Sequence, residues 1–540
     1  VLLAALTAVG VWRGLTDAGG WQLGWQAGYD QGGNTWRVAK SGLEVLLLLP
    51  LLWRAVATDA AAVCRRWAAG VWTGLLCVGL LVLWERALYA GGLDFTWPYR
   101  TSAWFWDMHV GGGAIDAYLA MAVPVAMWAV WAATTPGRWC AAAAVLLLAV
   151  FAALTTYSRG VYLVVAGAAL LLWATVAVLR WNPAPDLVWR RRALRCLWGV
   201  VALEALLVLV LSTFMASRLG ESDEDAYRRW SHWVAGASLV QTPAERWLGL
   251  GLGRLPARYS AQVPGGGFPG GVAVSPGDSP AGVTLLGPAP GVPVAGHRFG
   301  LTQRVTLAPG GRYTVRLRLV ADQPTQVMAR VCERHLLYDL RCQWRRATVP
   351  ATGPEGVERQ LVLRGPAFSQ PGEWGHHRLG MFTLSVLGEG QSVGVLEVAL
   401  QAPQGEAVLQ NTRFEQGLHH WMPAAQGHFL AWHLDNLYLE TWVERGWLGA
   451  LAFGVGVCLV LVCVVAGLRR RNPWALVGWL VLASALVLGL VISYMEVPRV
   501  AFMLLFWLFV GPAGALVVET PRACNINSIS PVCTRAGKRE

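Results

Sequence analysis

Apolar residues in this 540-residue chain gather into runs long enough to cross a bilayer, which takes roughly 20 residues of helix. They lie at 41–58, 68–90, 114–134, 139–157, 160–179 and 193–215, and again at 445–468, 474–495 and 498–518. Residues 1–12 are apolar but too few to span, and with no initiating Met they are expected to be the end of a helix that begins upstream of this sequence. The pattern predicts a polytopic α-helical membrane protein with about ten spans, the first of them truncated.

Between the sixth full run and the seventh the period changes. Residues 216–264 are polar and helix-compatible and end in Gly249, Gly251 and Gly253, a spacing that suits a tight turn or a close backbone approach. No strand precedes these glycines and no βαβ unit follows, so a dinucleotide-binding loop is not expected. Pro and Gly crowd 265–300, as in a linker or irregular strands. Apolar and polar residues then alternate at 302–307, 313–320, 326–333, 357–363, 381–387 and 392–400, with Pro309-Gly310-Gly311 turning the chain between the first two. This period of two predicts an antiparallel β-sandwich of about 130 residues. The expected units are an N-terminal transmembrane bundle (1–215), a helical part of the long loop (216–264), the sandwich (265–410), a short segment carrying candidate chemistry (411–444), the C-terminal spans (445–518) and a tail (519–540).

A hydrophobic content of 55% with 14% charged residues excludes a soluble multidomain protein and a disordered chain. The net charge of +12 sets topology. One set of short connections carries sixteen basic residues, among them Arg54, Arg65, Arg66, Arg138, Arg180, Arg190 to Arg192, Arg195 and Arg469 to Arg471. The other carries seven: Arg13, Arg37, Lys40, Arg86, Arg100, Arg159 and Arg499. The positive-inside rule places the first set in the cytoplasm and the long loop outside it. That loop, through Arg445, holds 21 Arg against 19 acidic residues, so no nucleic-acid partner is expected. Two lysines against 42 arginines reads as a base-composition bias. Cys332 and Cys342 flank an expected hairpin at 333–341 in an oxidising compartment and are expected to form a disulfide. Cys64, Cys77, Cys140, Cys196, Cys458 and Cys463 lie in or beside apolar spans as packing residues, and Cys524 and Cys533 lie in the tail.

The candidate chemistry stands at the outer surface. Thr155-Thr156-Tyr157-Ser158-Arg159-Gly160 joins two spans; Tyr227-Arg228-Arg229-Trp230-Ser231-His232-Trp233 and Trp247-Leu248-Gly249 follow; His433-Leu434-Asp435-Asn436 precedes Gly446-Trp447-Leu448-Gly449 by nine residues. In this order, around one large external loop with three spans after it, these signatures resemble the O-antigen ligase and O-antigen polymerase superfamily over residues from about 100 to 520. Within the loop, 307–313 and 411–417 resemble carbohydrate-binding modules of the jelly-roll type. The resemblance implies a bacterial inner-membrane protein with a periplasmic loop. It implies a glycan donor linked to polyprenyl pyrophosphate and an acceptor hydroxyl on another glycan or on lipid A core, with no metal and no cofactor.

Planar guanidinium forks suit a pyrophosphate leaving group whose charge grows as it departs. Arg159 is the first choice and Arg229 the second, its spacing to Trp233 fitting the family better than that of Arg228; Arg100 and Asn436 are further donor-binding candidates. A neutral histidine suits deprotonation of the acceptor near pH 7, which points to His433. The family commonly places His directly before Asn, whereas here Asp435 does so. Asp435 is therefore the base, a partner orienting His433, or a helix cap. Gly446 and Gly449 are expected to allow close helix packing.

His109 stands near a glycine run as a solvated loop residue, and Glu204, inside a span, is protonated, paired or functional. Trp230, Trp233, Trp247, Trp432 and Trp442 suit an interfacial aromatic belt, and the pairs His376-His377 and His419-His420 lack a third ligand for zinc. Other readings are a protein O-oligosaccharyltransferase, a transporter or flippase for the same lipid-linked sugar, which would show an internal repeat, and a sugar-sensing receptor.

Overall fold

The computed structural model describes the chain apart from residues 1, 21–30, 90, 97–98, 106–112, 182–187, 221, 265, 275–281, 292–298, 336–337, 369–378, 426–432, 496 and 517–540. His109, His376, His377, Trp432, Cys524 and Cys533 therefore lie outside the described residues. In chain order the helices are α1 (Leu2–Asp17), α2 (Gly32–Tyr89), α3 (Gly113–Ala132), α4 (Pro136–Thr155), α5 (Arg159–Val178), α6 (Val188–Leu211), α7 (Thr213–Gly220), α8 (Ser222–Ser238), α9 (Pro243–Leu248) and α10 (Leu255–Gln262). Ten strands follow: β1 (Gly271–Val274), β2 (Val283–Leu286), β3 (Phe299–Val305), β4 (Thr314–Val320), β5 (Thr325–His335), β6 (Tyr338–Val349), β7 (Val357–Val362), β8 (Leu379–Val386), β9 (Ser392–Gln401) and β10 (Met422–Ala425). The last three helices are α11 (Leu437–Arg469), α12 (Pro473–Leu488) and α13 (Pro498–Leu516).

Six of the described helices are long and apolar enough to cross a membrane, namely α2 to α6 and α11, and α12 and α13 are shorter apolar helices. This is the architecture of a helical membrane protein that carries a β domain. Outward apolar residues such as Leu163, Leu170 and Trp173 on α5, and Leu203 and Val210 on α6, are exposed, as a helix face turned to lipid requires.

The first two apolar runs form one helix with a break. Asp59 leaves helical geometry at φ −157° and ψ 88°, and the surrounding contacts show that α2 doubles back there. The Ser41 hydroxyl donates to the carbonyl of Met495 before α13, while Cys64 lies against Gly514 at the far end of α13. Glu85 then accepts from the amide of Ala103 at 2.8 Å, and Arg499, back at the start of α13, donates to the neighbouring carbonyl of Trp104. Each limb therefore runs the length of α13. The two ends of the bundle are distinct. At one, Arg100 donates to Thr156 O; at the other, Arg190 bonds to Trp131 O and Arg471 to Leu179 O.

The β domain is a sandwich of two five-stranded antiparallel sheets, ordered β1-β2-β9-β4-β7 and β10-β3-β8-β5-β6. Alternate residues meet between the sheets, including Leu301, Val315, Leu317, Val331, Phe382 and Val395, which is why the period of two was visible in the sequence. The domain exceeds the expected strands at both ends. β1 and β2 lie within the Pro/Gly-rich 265–300, and β10 pairs with β3 beyond residue 410. Phe414, Leu418 and Trp421 join the core, and Thr412 O accepts from Val398 N, so 411–425 belongs to the sandwich.

Cys332 and Cys342 are direct cross-strand neighbours on β5 and β6 and are bonded, with Cα atoms 4.1 Å apart. Closing a loop of sequence separation 10 stabilises a fold by about 2–3 kcal/mol. Replacing both with Ser is expected to lower the melting midpoint of the sandwich, followed by far-ultraviolet circular dichroism; an unchanged midpoint would show that the long β5–β6 ladder does not need the link.

Candidate functional site

The expected span at 474–495 ends early, at Leu488, and the carbonyls that follow are taken by donors from other elements. Gly489 O accepts from Leu437 N at 2.8 Å, Leu490 O from Asn436 Nδ2 at 3.2 Å and Val491 O from Arg229 Nη1 at 2.6 Å. The start of α5 reaches the same segment: a Cβ on Gly160 would stand 3.2 Å from Leu488 Cδ1 and 3.4 Å from Val491 Cγ2. Residues 489–493 thus form a hub at one end of the bundle, around which Arg159, Arg229 and the 433–440 segment gather.

Helix α8 supplies one side. Asp225, Arg229 and His232 stand at i, i+4 and i+7, a spacing that puts them on one face. Asp225 Oδ2 holds Arg159 Nη2 at 2.6 Å, Arg229 holds Val491 O, and His232 Nε2 lies 2.9 Å from His433 O. The seven-residue rise from Asp225 to His232 is about 10 Å, and this one face of α8 touches Arg159 at one end and the His433 turn at the other.

The 433–440 segment supplies the other side. Asn436 caps α11: its side chain accepts from Tyr438 N at 3.1 Å and Leu439 N at 3.0 Å. Both ends of that amide are held by the chain itself, and the cap role falls to Asn436 alone. Asp435 precedes it at φ +51°, a left-handed conformation that Asp tolerates better than most residues. This turn brings Asp435 Oδ1 to 3.2 Å from His433 Nδ1. The Asp435 amide N–H also donates to Nδ1, at 3.2 Å. The amide and the carboxylate compete for Nδ1: a bare Nδ1 accepts from the amide, and a protonated Nδ1 donates to the Asp435 carboxylate and leaves Nε2 as the basic nitrogen. Glu440, buried one turn into α11, accepts from Leu434 N at 2.9 Å and from the Ser493 hydroxyl, pinning the His433 turn to the hub.

His232 is buried, and both its nitrogens are engaged. A carbonyl only accepts, so Nε2–H donates to His433 O, and in the neutral ring Nδ1 accepts from the Tyr259 hydroxyl 2.9 Å away. Burial, together with the neighbouring Arg229 charge, holds its proton affinity below the ordinary 6.5, against the His433 carbonyl and Asp435, which act the other way. The ring is neutral at pH 7.

The glycine run is a backbone packing device. Leu250 N donates to Val443 O at 2.8 Å, Gly251 N to Glu444 O at 3.1 Å, Leu252 N to Gly10 O at 3.0 Å and Gly253 N to Glu444 Oε1 at 2.8 Å. Asn34 and Thr35 of α2 donate to Gly253 O and Leu252 O. The segment threads between α1, α2 and α11 where side chains would not fit. Gly446, expected to let helices pack closely, does so against α9, where a Cβ would stand 2.2 Å from the carbonyl carbon of Trp247, and it also breaks α11 at φ +65°.

Of the remaining candidates, Arg100 is largely buried beside Asp116 at 3.6 Å and bonded to Thr156 O, holding the turn that leads to Arg159. Arg228 is exposed, one residue off the face that carries Arg229. Glu204 is half-buried on α6, and His419 and His420 meet edge to face in the sandwich. Cys332, Asp339 and Cys342 are the one described group with metal-ligand proximity, and its two sulfurs are joined to each other.

Asp225, His232, Tyr259, Glu440 and Ser493 were not singled out from the sequence. The i, i+4, i+7 spacing on α8 is the signal that was present for the first two; the others become visible only when distant segments meet. Compared with known protein families, curated proteins and solved structures, the chain has no significant match in any of the three.

Proposed function

We propose that this protein transfers a glycan from polyprenyl pyrophosphate to an acceptor hydroxyl at the periplasmic face of the bacterial inner membrane, as in the O-antigen ligase and polymerase superfamily. The observation that carries the reading is the gathering of Arg159, Arg229 and the His433–Asp435 pair around residues 489–493 at one end of the bundle. Arginine-rich connections such as 190–195 and 469–471 lie toward the other end, which supports a cytoplasmic placement there. With the limbs of α2 counted separately, α1 to α6 and α11 to α13 supply ten spans in this reading.

In the reaction, the acceptor oxygen attacks the anomeric carbon while its proton passes to His433 Nε2. The bond from that carbon to the donor phosphate breaks, its electron pair stays on the pyrophosphate oxygen, and the sugar inverts. Arg159 and Arg229 stabilise the charge that grows there, and Asp435 stabilises the imidazolium that forms.

Purified protein given a polyprenyl-pyrophosphate glycan and an acceptor is expected to form the joined product and release polyprenyl pyrophosphate. Arg159→Ala should slow this by about 10²- to 10³-fold. Movement of the lipid-linked glycan across vesicles without any joined product would replace the transferase reading by the transporter.

Asp225 occupies one arm of the Arg159 guanidinium and competes with an incoming pyrophosphate. Partly exposed pairs of this kind contribute about 0.2–1 kcal/mol, so Asp225→Asn is expected to tighten inhibition by inorganic pyrophosphate by up to about 5-fold. Weaker inhibition would show that Asp225 orients Arg159 for the donor.

A further inference from the structure

We infer that His232 is a positioning residue for transfer: through its Nε2–H it fixes the backbone of His433, and so the aim of the base at the acceptor hydroxyl. The inference rests on the transferase reading above and names a residue which that reading does not require.

Three observations meet at this ring. First, His433 O, the carbonyl of the proposed base itself, accepts from His232 Nε2 at 2.9 Å. The backbone of a residue in a tight turn sets the direction of its side chain, so a restraint on this carbonyl acts on the imidazole of His433. Second, the ring of His232 cannot swivel freely. Tyr259 on α10 holds Nδ1 at 2.9 Å, and the two rings pack with centroids 5.1 Å apart. Third, α8 sits hard against the same turn, since a Cβ on Gly236 would lie 2.3 Å from Leu434 Cδ2. Glycine at 236 lets the helix approach closely enough for His232 to reach.

The arrangement divides the labour around His433. Asp435 acts on the ring nitrogen Nδ1, Glu440 holds the next amide, Leu434 N, and His232 holds the carbonyl. Neutral His232 keeps its Nδ1 lone pair for the Tyr259 hydroxyl, and its own Nε2 is committed to a carbonyl. It therefore has no basic nitrogen to offer the acceptor and acts through His433.

The test is a kinetic split with a conservative rescue, using the full-length protein and the lipid-linked donor. His232→Leu removes the donor to the carbonyl and is expected to lower kcat by about 10- to 100-fold, as misaim of a catalytic group does, with the donor KM within 2-fold. His232→Gln places an amide N–H where Nε2 stood and is expected to recover most of that loss. Tyr259→Phe, which frees the ring but leaves the donor, should fall between them. Unchanged kcat in His232→Leu, or a change confined to donor KM, would overturn the positioning role. Failure of His232→Gln to rescue would do the same. If His232→Leu does not fold, the Gln and Phe variants still decide: a Gln variant no better than His433→Ala overturns the inference. The transferase reading fails separately, if His433→Ala keeps full activity.

Discussion

His433→Ala is expected to lower kcat for glycan transfer by about 10²- to 10⁴-fold while leaving the donor KM nearly unchanged, because removing a general base affects only the step in which the proton moves. In the proposed reaction Arg159 and Arg229, on α5 and α8, hold the donor, and the contacts that place these two side chains do not pass through the His433 side chain. The pair at 3.2 Å adds a second arm. Asp435→Asn keeps the size of the side chain but removes the charge that favours the imidazolium and the Nδ1–H tautomer. Its kcat should lie between those of the wild type and His433→Ala. Initial rates at saturating donor, with membrane levels matched by immunoblot, give both numbers. A dead Asp435→Asn beside an active His433→Ala would transfer the base to Asp435, the residue that directly precedes Asn436.

The elements legible in the sequence were those governed by local period. The apolar runs became α2 to α6 and α11 to α13, and the alternation at 302–400 became the middle of the sandwich. What escaped was set by partners far away in the chain. The break at Asp59 was legible, since it falls between the apolar runs at 41–58 and 68–90, but that helical geometry resumes at once on either side of it was not. Beyond the early end of α12, the carbonyls of Gly489, Leu490 and Val491 face Leu437, Asn436 and Arg229, partners distant in the chain. β1, β2 and β10 are strands of 4 residues, too short to display a period, and they exist because longer neighbours offer them an edge.

The site was legible to the same degree. Arg159, Arg229, His433 and Asp435 announced themselves by residue type and by their place between spans. The choice of cap between Asp435 and Asn436 needed backbone angles, and it went to Asn436 because Asp435 sits in the left-handed region. His232 stood inside a motif already noticed, but its partner is 201 residues away, and no local pattern encodes that contact.

The second large effect is structural. Gly249→Ala and Gly446→Ala are each expected to destabilise the protein by at least about 3 kcal/mol, enough to abolish folded protein in the membrane. The two glycines interlock. A Cβ on Gly249 would stand 2.2 Å from the carbonyl carbon of Glu444, and a Cβ on Gly446 would stand 2.2 Å from that of Trp247. These are backbone atoms, which cannot swing aside. Both glycines also hold extended positive-φ geometry, φ 77° with ψ 177° at Gly249 and φ 65° with ψ −173° at Gly446, a region essentially confined to glycine. Steric exclusion and strain therefore act together. Gly454→Ala, farther along α11 where a Cβ meets nothing within 4 Å, is the control and should be neutral or slightly stabilising, since alanine is the better helix former. Size-exclusion profiles of detergent-solubilised protein, with thermal midpoints, would measure all three. A monodisperse Gly249→Ala or Gly446→Ala with a normal midpoint would mean that the two segments are not locked together. Their locking matters for the chemistry as well: the same contact carries Leu250 N to Val443 O and Gly253 N to Glu444, fixing the first turns of α11 from which Glu440 holds the His433 turn.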